Sequence, residues 1–520
     1  MKLIIVHYHL RPGGVRRIIE LAAPHLVAQF DGRITDVILA GGEALDRKWN
    51  ENFRQGLPGV RVTFCIEPVF KYLSEQRFSA ALTRRIEAAV NRLLGDDGAD
   101  DALVWAHNLG IARNLPLVDA LTRACDERGI TLVMHHHDWW FDNRWQRWPE
   151  MRRNGVRSLQ APARIVFPSS PGVRHAAINH VDAALLERQF PARTGWLPNL
   201  TEPMPPPSAE RLRAAKDWLR HKLNDADAPV WILPCRLLRR KNIAEALLLT
   251  RWLRPEAWLV TTGDVSSEDE RAYAEKFTAA AHAHHWRLRL GILAGDETRK
   301  PGVAELLAAS EAVVLTSIQE GFGLPYLEAA AAGRPLVARA LPNISPDLKR
   351  FGFHFPQLYD EILVDPRLFD WEAEQQRQQK LFARWRARLP APCRPWAGTP
   401  VMLSRRAPQP VPFSRLTLTA QLEVLAQPAK PSWELCAPLN PELSGWKKRA
   451  GAGKLKSTPW PRTADRWLGG AAYAKRFAQL ATGNARRPAS ASAALRAQAG
   501  FMREKLGAEH LFPLLWDLDT

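Results

Sequence analysis

The first 200 residues alternate between short apolar runs and amphipathic stretches. Apolar runs predict strands at Lys2–His7, Thr35–Ala40, Val60–Cys65, Leu103–His107, Thr131–His135 and Arg164–Phe167. Between them, apolar residues recur at helical spacing, as over Gly14–Gln29, Ser79–Leu94 and Leu115–Arg128. Continuous apolar strands separated by helices predict a parallel sheet covered on both faces.

The pattern then breaks. Leu197–Pro207 reads LPNLTEPMPPP, with five prolines in eleven residues. Such a segment cannot continue a helix or sit in a central strand, and it predicts an interdomain linker. A second alternating stretch follows, with strands expected at Val230–Pro234, Trp258–Thr262, Arg287–Leu290, Ala312–Thr316 and Leu336–Ala338. Helices are expected at Ile243–Leu253, Glu268–His284, Val303–Ala309 and Leu324–Ala332. Beyond residue 360 the rhythm changes again. Trp371–Arg388 reads as one long charged helix, Pro390–Pro412 as irregular, and 426–463 as a mobile Pro/Gly/Ser/Lys-rich segment. Ala464–Thr482 and Ala491–Leu506 read as helical. The expected organisation is an α/β chain of two doubly wound Rossmann-like domains, 1–200 and 201–360, facing a cleft, plus a mainly helical, partly irregular extension, 361–520.

Composition narrows the class. Of 520 residues, 46% are hydrophobic and 24% charged, which excludes wholesale disorder. No apolar run reaches 18 residues, so no transmembrane helix is expected. The start, MKLIIVHYHLRPGG, reads as a first strand and not as a signal peptide. Five scattered cysteines without a CxxC pair argue against a disulfide framework or zinc site, and for a reducing, cytoplasmic setting. The net charge of +18 is unevenly placed: residues 371–520 carry +14 of it and the first 370 only +4.

Ligands of doubly wound sheets bind beyond the carboxyl ends of the strands, so the chemistry should lie in loops after strands. Gly13 and Gly14 follow the first strand, where a helix start offers N–H groups to an anion. This is not GxGxxG, which disfavours a dinucleotide. In LPCRLLRRKN, Arg236 and Lys241 follow a strand and can reach a diphosphate, one as a planar fork and one as a point charge. A solvated basic loop is the plain alternative. Most specific is Glu320–Gly321–Phe322–Gly323–Leu324, running on through Pro325 to Glu328 between a strand and a helix. Its N–H groups suit a phosphate or sugar oxygen, and Glu328 can accept two hydroxyl hydrogen bonds, as from a ribose diol.

Together, Gly13–Gly14, Arg236 with Lys241, and Glu320 with Glu328 in E-x7-E spacing resemble the retaining nucleotide-sugar glycosyltransferases of GT-B fold, family 4-like, over residues 1–360. The resemblance implies that Arg236 and Lys241 neutralise the departing diphosphate and that Glu328 holds the ribose. It implies that Glu320, with the backbone of Gly321, Phe322 and Gly323, holds donor-sugar hydroxyls, and that Gly14 meets the diphosphate from the other domain. It also implies no metal and no cofactor, the nucleotide sugar (UDP-, GDP- or ADP-linked) being a substrate.

The run His135–His136–His137–Asp138–Trp139–Trp140 follows a strand. Consecutive side chains of a strand alternate faces, so three adjacent histidines cannot share one ion, and no metal site is expected. A His–Asp pair here resembles the family's acceptor-side loop. That implies hydroxyl contacts from His137 and Asp138, stacking of a sugar on Trp139, and rim positions for His107 and Asn108; an aromatic packing loop is the plain reading. With Glu320, Lys241 and Arg236, His137 completes the expected catalytic set. The acceptor is a sugar, lipid or glycan of unspecified kind.

The basic extension prompts a rival reading: an inactive GT-B-like protein that binds a polyanion, nucleic acid or anionic lipid, through 371–520. The run Lys447, Lys448, Arg449, Lys454 and Lys456 lies near Trp446 and Trp460. A solvated flexible loop is the plainer account of it, and nucleic acid is the less favoured partner. Peripheral contact with an anionic membrane is the form in which the extension would serve an enzyme.

Overall fold

The computed structural model describes residues 1–73, 78–203, 205–265, 270–295, 297, 300–483 and 489–516. The chain forms two compact units. The first contains 1–202, 388–394 and 463–505, and the second 203–387, 395–462 and 506–520.

The first unit is built on seven parallel strands: β1 (Lys2–Val6), β2 (Asp36–Gly41), β3 (Arg61–Ile66), β4 (Ala102–His107), β5 (Thr131–His136), β6 (Val173–Ala177) and β7 (Thr194–Trp196). Their order is β3-β2-β1-β4-β5-β6-β7. The alternation within β1 shows how both faces are filled. Ile4 and Val6 join Ile86, Val118 and Leu121 on one side. Leu3 and Ile5 join Ile18, Ala22, Tyr473 and Phe477 on the other.

The expected strand at 164–167 is instead the end of a helix, Gln160–Val166. The sixth strand is β6, all five of whose residues are buried although VRHAA carries two polar side chains. Arg174 is accommodated because its guanidinium donates to the carbonyls of Pro171 and Gly483, both at 2.6 Å.

The second unit holds six parallel strands: β8 (Val230–Leu233), β9 (Trp258–Thr261), β10 (Leu288–Arg289), β11 (Ala312–Leu315), β12 (Leu336–Arg339) and β13 (Gln357–Tyr359). Their order is β10-β9-β8-β11-β12-β13. The helix expected at 268–284 runs over Arg271–Ala283, residues 268 and 269 lying outside those described. Both units therefore follow the doubly wound Rossmann-like plan. Strand order reverses between β1 and β4 in the first and between β8 and β11 in the second, which are the points where such sheets bind ligands.

The chain beyond 360 is mainly helical, and it completes both cores. The helix Gly470–Thr482 lies on Gly14–Gln29, and a Cβ on Gly470 would stand 2.0 Å from His25 Nε2, so a side chain there would displace the His25 ring. In the second unit Leu418–Ala426, Ala429–Cys436 and Pro441–Gly451 surround the helix Ile243–Leu253, ten of whose eleven residues are buried. Trp252 Nε1 donates to Ser432 Oγ at 3.0 Å, and Arg251 to the carbonyl of Gln427 at 3.1 Å. The segment 426–463, expected to be mobile, is thus largely helical. Its composition misled because a few spaced apolar positions, Leu443, Trp446 and Ala450 among them, are turned inward. Within it, Lys447 donates to the Trp252 carbonyl and lies 4.7 Å from the Trp433 ring centre; earlier in the extension, Arg415 is paired with Glu361 at 3.0 Å. Among the described residues, no helix is long and apolar enough to cross a membrane.

Candidate active site

In the second unit, the loops after β8 and β11 meet at the reversal point. After β8 the chain runs through exposed Arg236 to a single 3₁₀ turn, Arg239–Lys241, and then Asn242 in the left-handed conformation, φ 48°. Asn242 opens the buried helix Ile243–Leu253. Thr316 at the end of β11 fastens this turn, donating its hydroxyl to the carbonyls of Lys241 and Asn242, both at 3.0 Å. Ile318 N–H donates to the Arg240 carbonyl at 2.9 Å.

This stitching brings Glu320 onto two cations. Lys241 Nζ donates to one carboxylate oxygen, and Arg240 to the other at 2.7 Å. Ser317 Oγ adds a third bond, 2.6 Å. Burial alone would raise the Glu320 pKa, but the charges of Arg240 and Lys241 outweigh it and hold it down at about 2. Glu320 is thus a fixed anion whose oxygens are already engaged.

The loop then turns through Gly323, φ 81°, where a Cβ would stand 2.9 Å from Tyr326 Cδ2 and 3.1 Å from Ile344 Cγ2. Both the left-handed backbone and the space require glycine. Gly323 caps the helix Leu324–Ala331 with no side-chain cap, and Pro325 sits in its first turn. Phe322 is buried, so only its backbone is available to a ligand. Glu328, half-buried on this helix, is pushed up by burial, with the charge of Lys241 opposing. Among the described residues no hydrogen bond reaches its carboxylate, unlike that of Glu320.

Arg236 and Lys241 stand differently from each other. Lys241 is buried between the two glutamates, whereas Arg236 is exposed, its side chain lying along Gly263. Arg240 is a member of the ion-paired cluster that sequence reasoning missed. It stands in a run of three basic residues, and only the 3₁₀ turn selects which of them faces Glu320.

In the first unit, Gly13 and Gly14 are exposed and begin the helix Gly14–Gln29 without a side-chain cap. Next to the reversal point, register pairs His107 of β4 with His135 of β5. His107 Nδ1 lies 3.1 Å from His137 Nε2. Asn108, also left-handed, accepts from Asp138 N–H at 3.0 Å and so ties the β4 loop to the β5 loop. Asp138 keeps Arg144 at 3.4 Å. Burial foremost, then neighbouring histidines, keeps His137 low, at about 3, and His107 and His135 well below the usual range.

Trp139 does not present a ring for sugar stacking. It is fully buried, donates from Nε1 to Asp182 Oδ2 at 2.8 Å, and lies against His136, Phe167 and Phe501. Trp140 and Phe141 are fully buried as well, so the aromatic loop is a core element. A Cβ on Gly110 would stand 2.8 Å from the Trp139 ring, which explains that glycine. The three adjacent histidines do divide between faces, His136 turning to His175 at 3.2 Å. Alternation nevertheless leaves His135 and His137 on one face, where His107 joins them.

Residues 216–353 match the family described as glycosyl transferases group 1. Two curated relatives match more of the chain. Mannosylglucosyl-3-phosphoglycerate synthase of Petrotoga mobilis is 23% identical over 373 residues, covering 70% of this chain and 69% of its own. Mannosylglucosylglycerate synthase of Thermotoga maritima is 24% identical, covering 72% and 90%.

The chain is a glycosyltransferase built on two doubly wound units.

Among solved structures, this glycosyltransferase is similar to Anabaena HepE in complex with UDP, at 15% identity and TM-score 0.49, covering 92% of this chain and 99% of that one. The family match spans the turn Arg239–Lys241 and the loop Glu320–Gly323, so the part of the glycosyltransferase recognised by sequence contains the ion-paired site.

Proposed function

We propose that the enzyme transfers a sugar from a nucleotide-sugar donor to a hydroxyl acceptor with retention at the anomeric carbon, and that the second unit holds the donor. The observation that carries this is the contrast between the two glutamates around Lys241. Glu320 is saturated by Arg240, Lys241 and Ser317, whereas Glu328 has an open carboxylate.

In this reading Glu328 accepts the ribose hydroxyls. Lys241 and Arg240, positioned by Glu320, and exposed Arg236 meet the diphosphate. Breaking the bond from the anomeric carbon to the diphosphate oxygen leaves a sugar cation and a diphosphate anion. Fixed cations on the leaving group stabilise that charge separation more than the ground state. The N–H groups of Gly321, Phe322 and Gly323 add to this at the helix start.

Glu320 itself is unsuited to proton transfer, because a carboxylate held at about 2 is a poor base near neutral pH. That supports a route in which the acceptor oxygen bonds to the anomeric carbon on the face the diphosphate leaves, and its proton passes to the departing diphosphate oxygen. The cations replace a metal at the phosphates, so transfer should persist in EDTA.

For the acceptor we assign Asp138, half-buried beside Arg144, to a hydroxyl of the incoming sugar, with His137 and Asn108 shaping that rim. The names of the two relatives describe glycosylated glycerates, and we take a small glucosylglycerate-type acid as the first acceptor to try. The test is product formation from UDP-, GDP- and ADP-sugars with that acceptor. Transfer by wild type that is lost in Lys241→Ala and Glu328→Ala supports the reading; undiminished transfer by both variants overturns it.

A further inference from the structure

We propose that His107, His135 and His137 form a binding site for a divalent transition-metal ion. Strand geometry builds the set. His135 and His137 are two apart at the end of β5 and share a face, and β4–β5 register places His107 opposite His135. Each residue offers one nitrogen, and the three atoms lie within 4.8 Å of one another.

The distances suit a metal. His107 Nδ1 and His137 Nε2 are 3.1 Å apart. Two nitrogens bound at about 2.0 Å with a tetrahedral angle between them would be roughly 3.3 Å apart. The third ligand is already oriented. His135 Nε2 lies 3.3 Å from the Leu197 carbonyl, which can only accept, so the proton sits on Nε2 and the lone pair on Nδ1. A backbone carbonyl fixing the tautomer of a ligating histidine is the usual outer support of such sites. Tyr473 Oη lies 3.5 Å from Nδ1.

Three imidazoles without a carboxylate select a borderline ion such as Zn²⁺, Co²⁺ or Ni²⁺ over Mg²⁺ or Ca²⁺. Three protein ligands would leave one position for water or a ligand oxygen.

The experiment uses untagged full-length protein, stripped with chelator and dialysed. Co²⁺ titration is followed by visible absorption, and Zn²⁺ retention by elemental analysis after buffer exchange. Wild type should develop a d–d spectrum of nitrogen coordination and keep about one Zn²⁺ per chain. His137→Gln should bind at least about tenfold more weakly, as should His107→Gln, which serves if the first variant does not fold by circular dichroism. Equal Zn²⁺ retention by wild type and a folded variant, or a cobalt spectrum unchanged by either substitution, overturns the proposal. These readouts do not involve sugar transfer, so they stand or fall apart from the proposed activity.

Discussion

Lys241 Nζ is ion-paired with Glu320 at the reversal point of the second sheet, and both side chains are nearly buried. The pair is reinforced by Arg240 on the other carboxylate oxygen, so the lysine is held in place before any donor arrives. Replacing Lys241 by Ala removes the buried cation next to Glu328 as well. We expect kcat/KM for transfer to fall by about 10²–10³-fold, the range seen when a fixed electrostatic stabiliser is lost. Initial rates at saturating and limiting donor measure it.

Arg240 separates a role in the site from general basicity. Arg240→Ala should lower kcat/KM by about tenfold or more, because it loosens Glu320 and removes one cation. Replacing a lysine or arginine of the exposed surface, such as Arg153→Ala, should change it little. Parallel rate measurements on the two variants check this, and equal effects would refute a positioned role for Arg240.

Glu320 carries a pH signature. Its folded pKa, about 2, lies below the ordinary 4.5, so the folded state binds the proton less readily than the unfolded chain. Its contribution is therefore fully present above about 4.5 and is lost as pH falls toward 2; a shift of this size corresponds to about 3 kcal/mol at most. Urea unfolding of wild type and Glu320→Gln should differ most near neutrality. The gap should narrow below pH 4.5.

Gly323 is set by backbone as well as space. Gly323→Ala forces a Cβ onto Tyr326 and Ile344 at positive φ. We expect a loss of about 1–3 kcal/mol in urea unfolding, with a larger loss of donor affinity, since the helix start would shift.

The C-terminal helices are structural. Phe477 is fully buried in the core shared with Leu3 and Ile18. Phe477→Ala should cost about 3–5 kcal/mol. Truncation at residue 462 should leave the first unit aggregation-prone, which size-exclusion chromatography would show.

Most of the fold was legible because period is a local property. Apolar runs at Lys2–Val6 and Ala312–Leu315 and helices such as Trp371–Arg388 follow from side-chain alternation alone. β6 was not, since Arg174 and His175 are buried through bonds to distant carbonyls that no local pattern announces. The site divides in the same way. Lys241, Glu320 and Glu328 were readable from their place at strand-to-helix junctions. Arg240 depended on the handedness of a single turn. Trp139 was misassigned because the helix around Phe501, which buries it, lies 362 positions further along the sequence. The histidine cluster needed the register of two strands, which sequence alone does not supply.

Calorimetric titration of UDP-, GDP- and ADP-glucose into wild type, Lys241→Ala and Glu328→Ala tests the central claim most directly. The account predicts that wild type binds at least one of them and that each variant weakens that same donor by about tenfold or more. Binding of equal strength in all three proteins would contradict it.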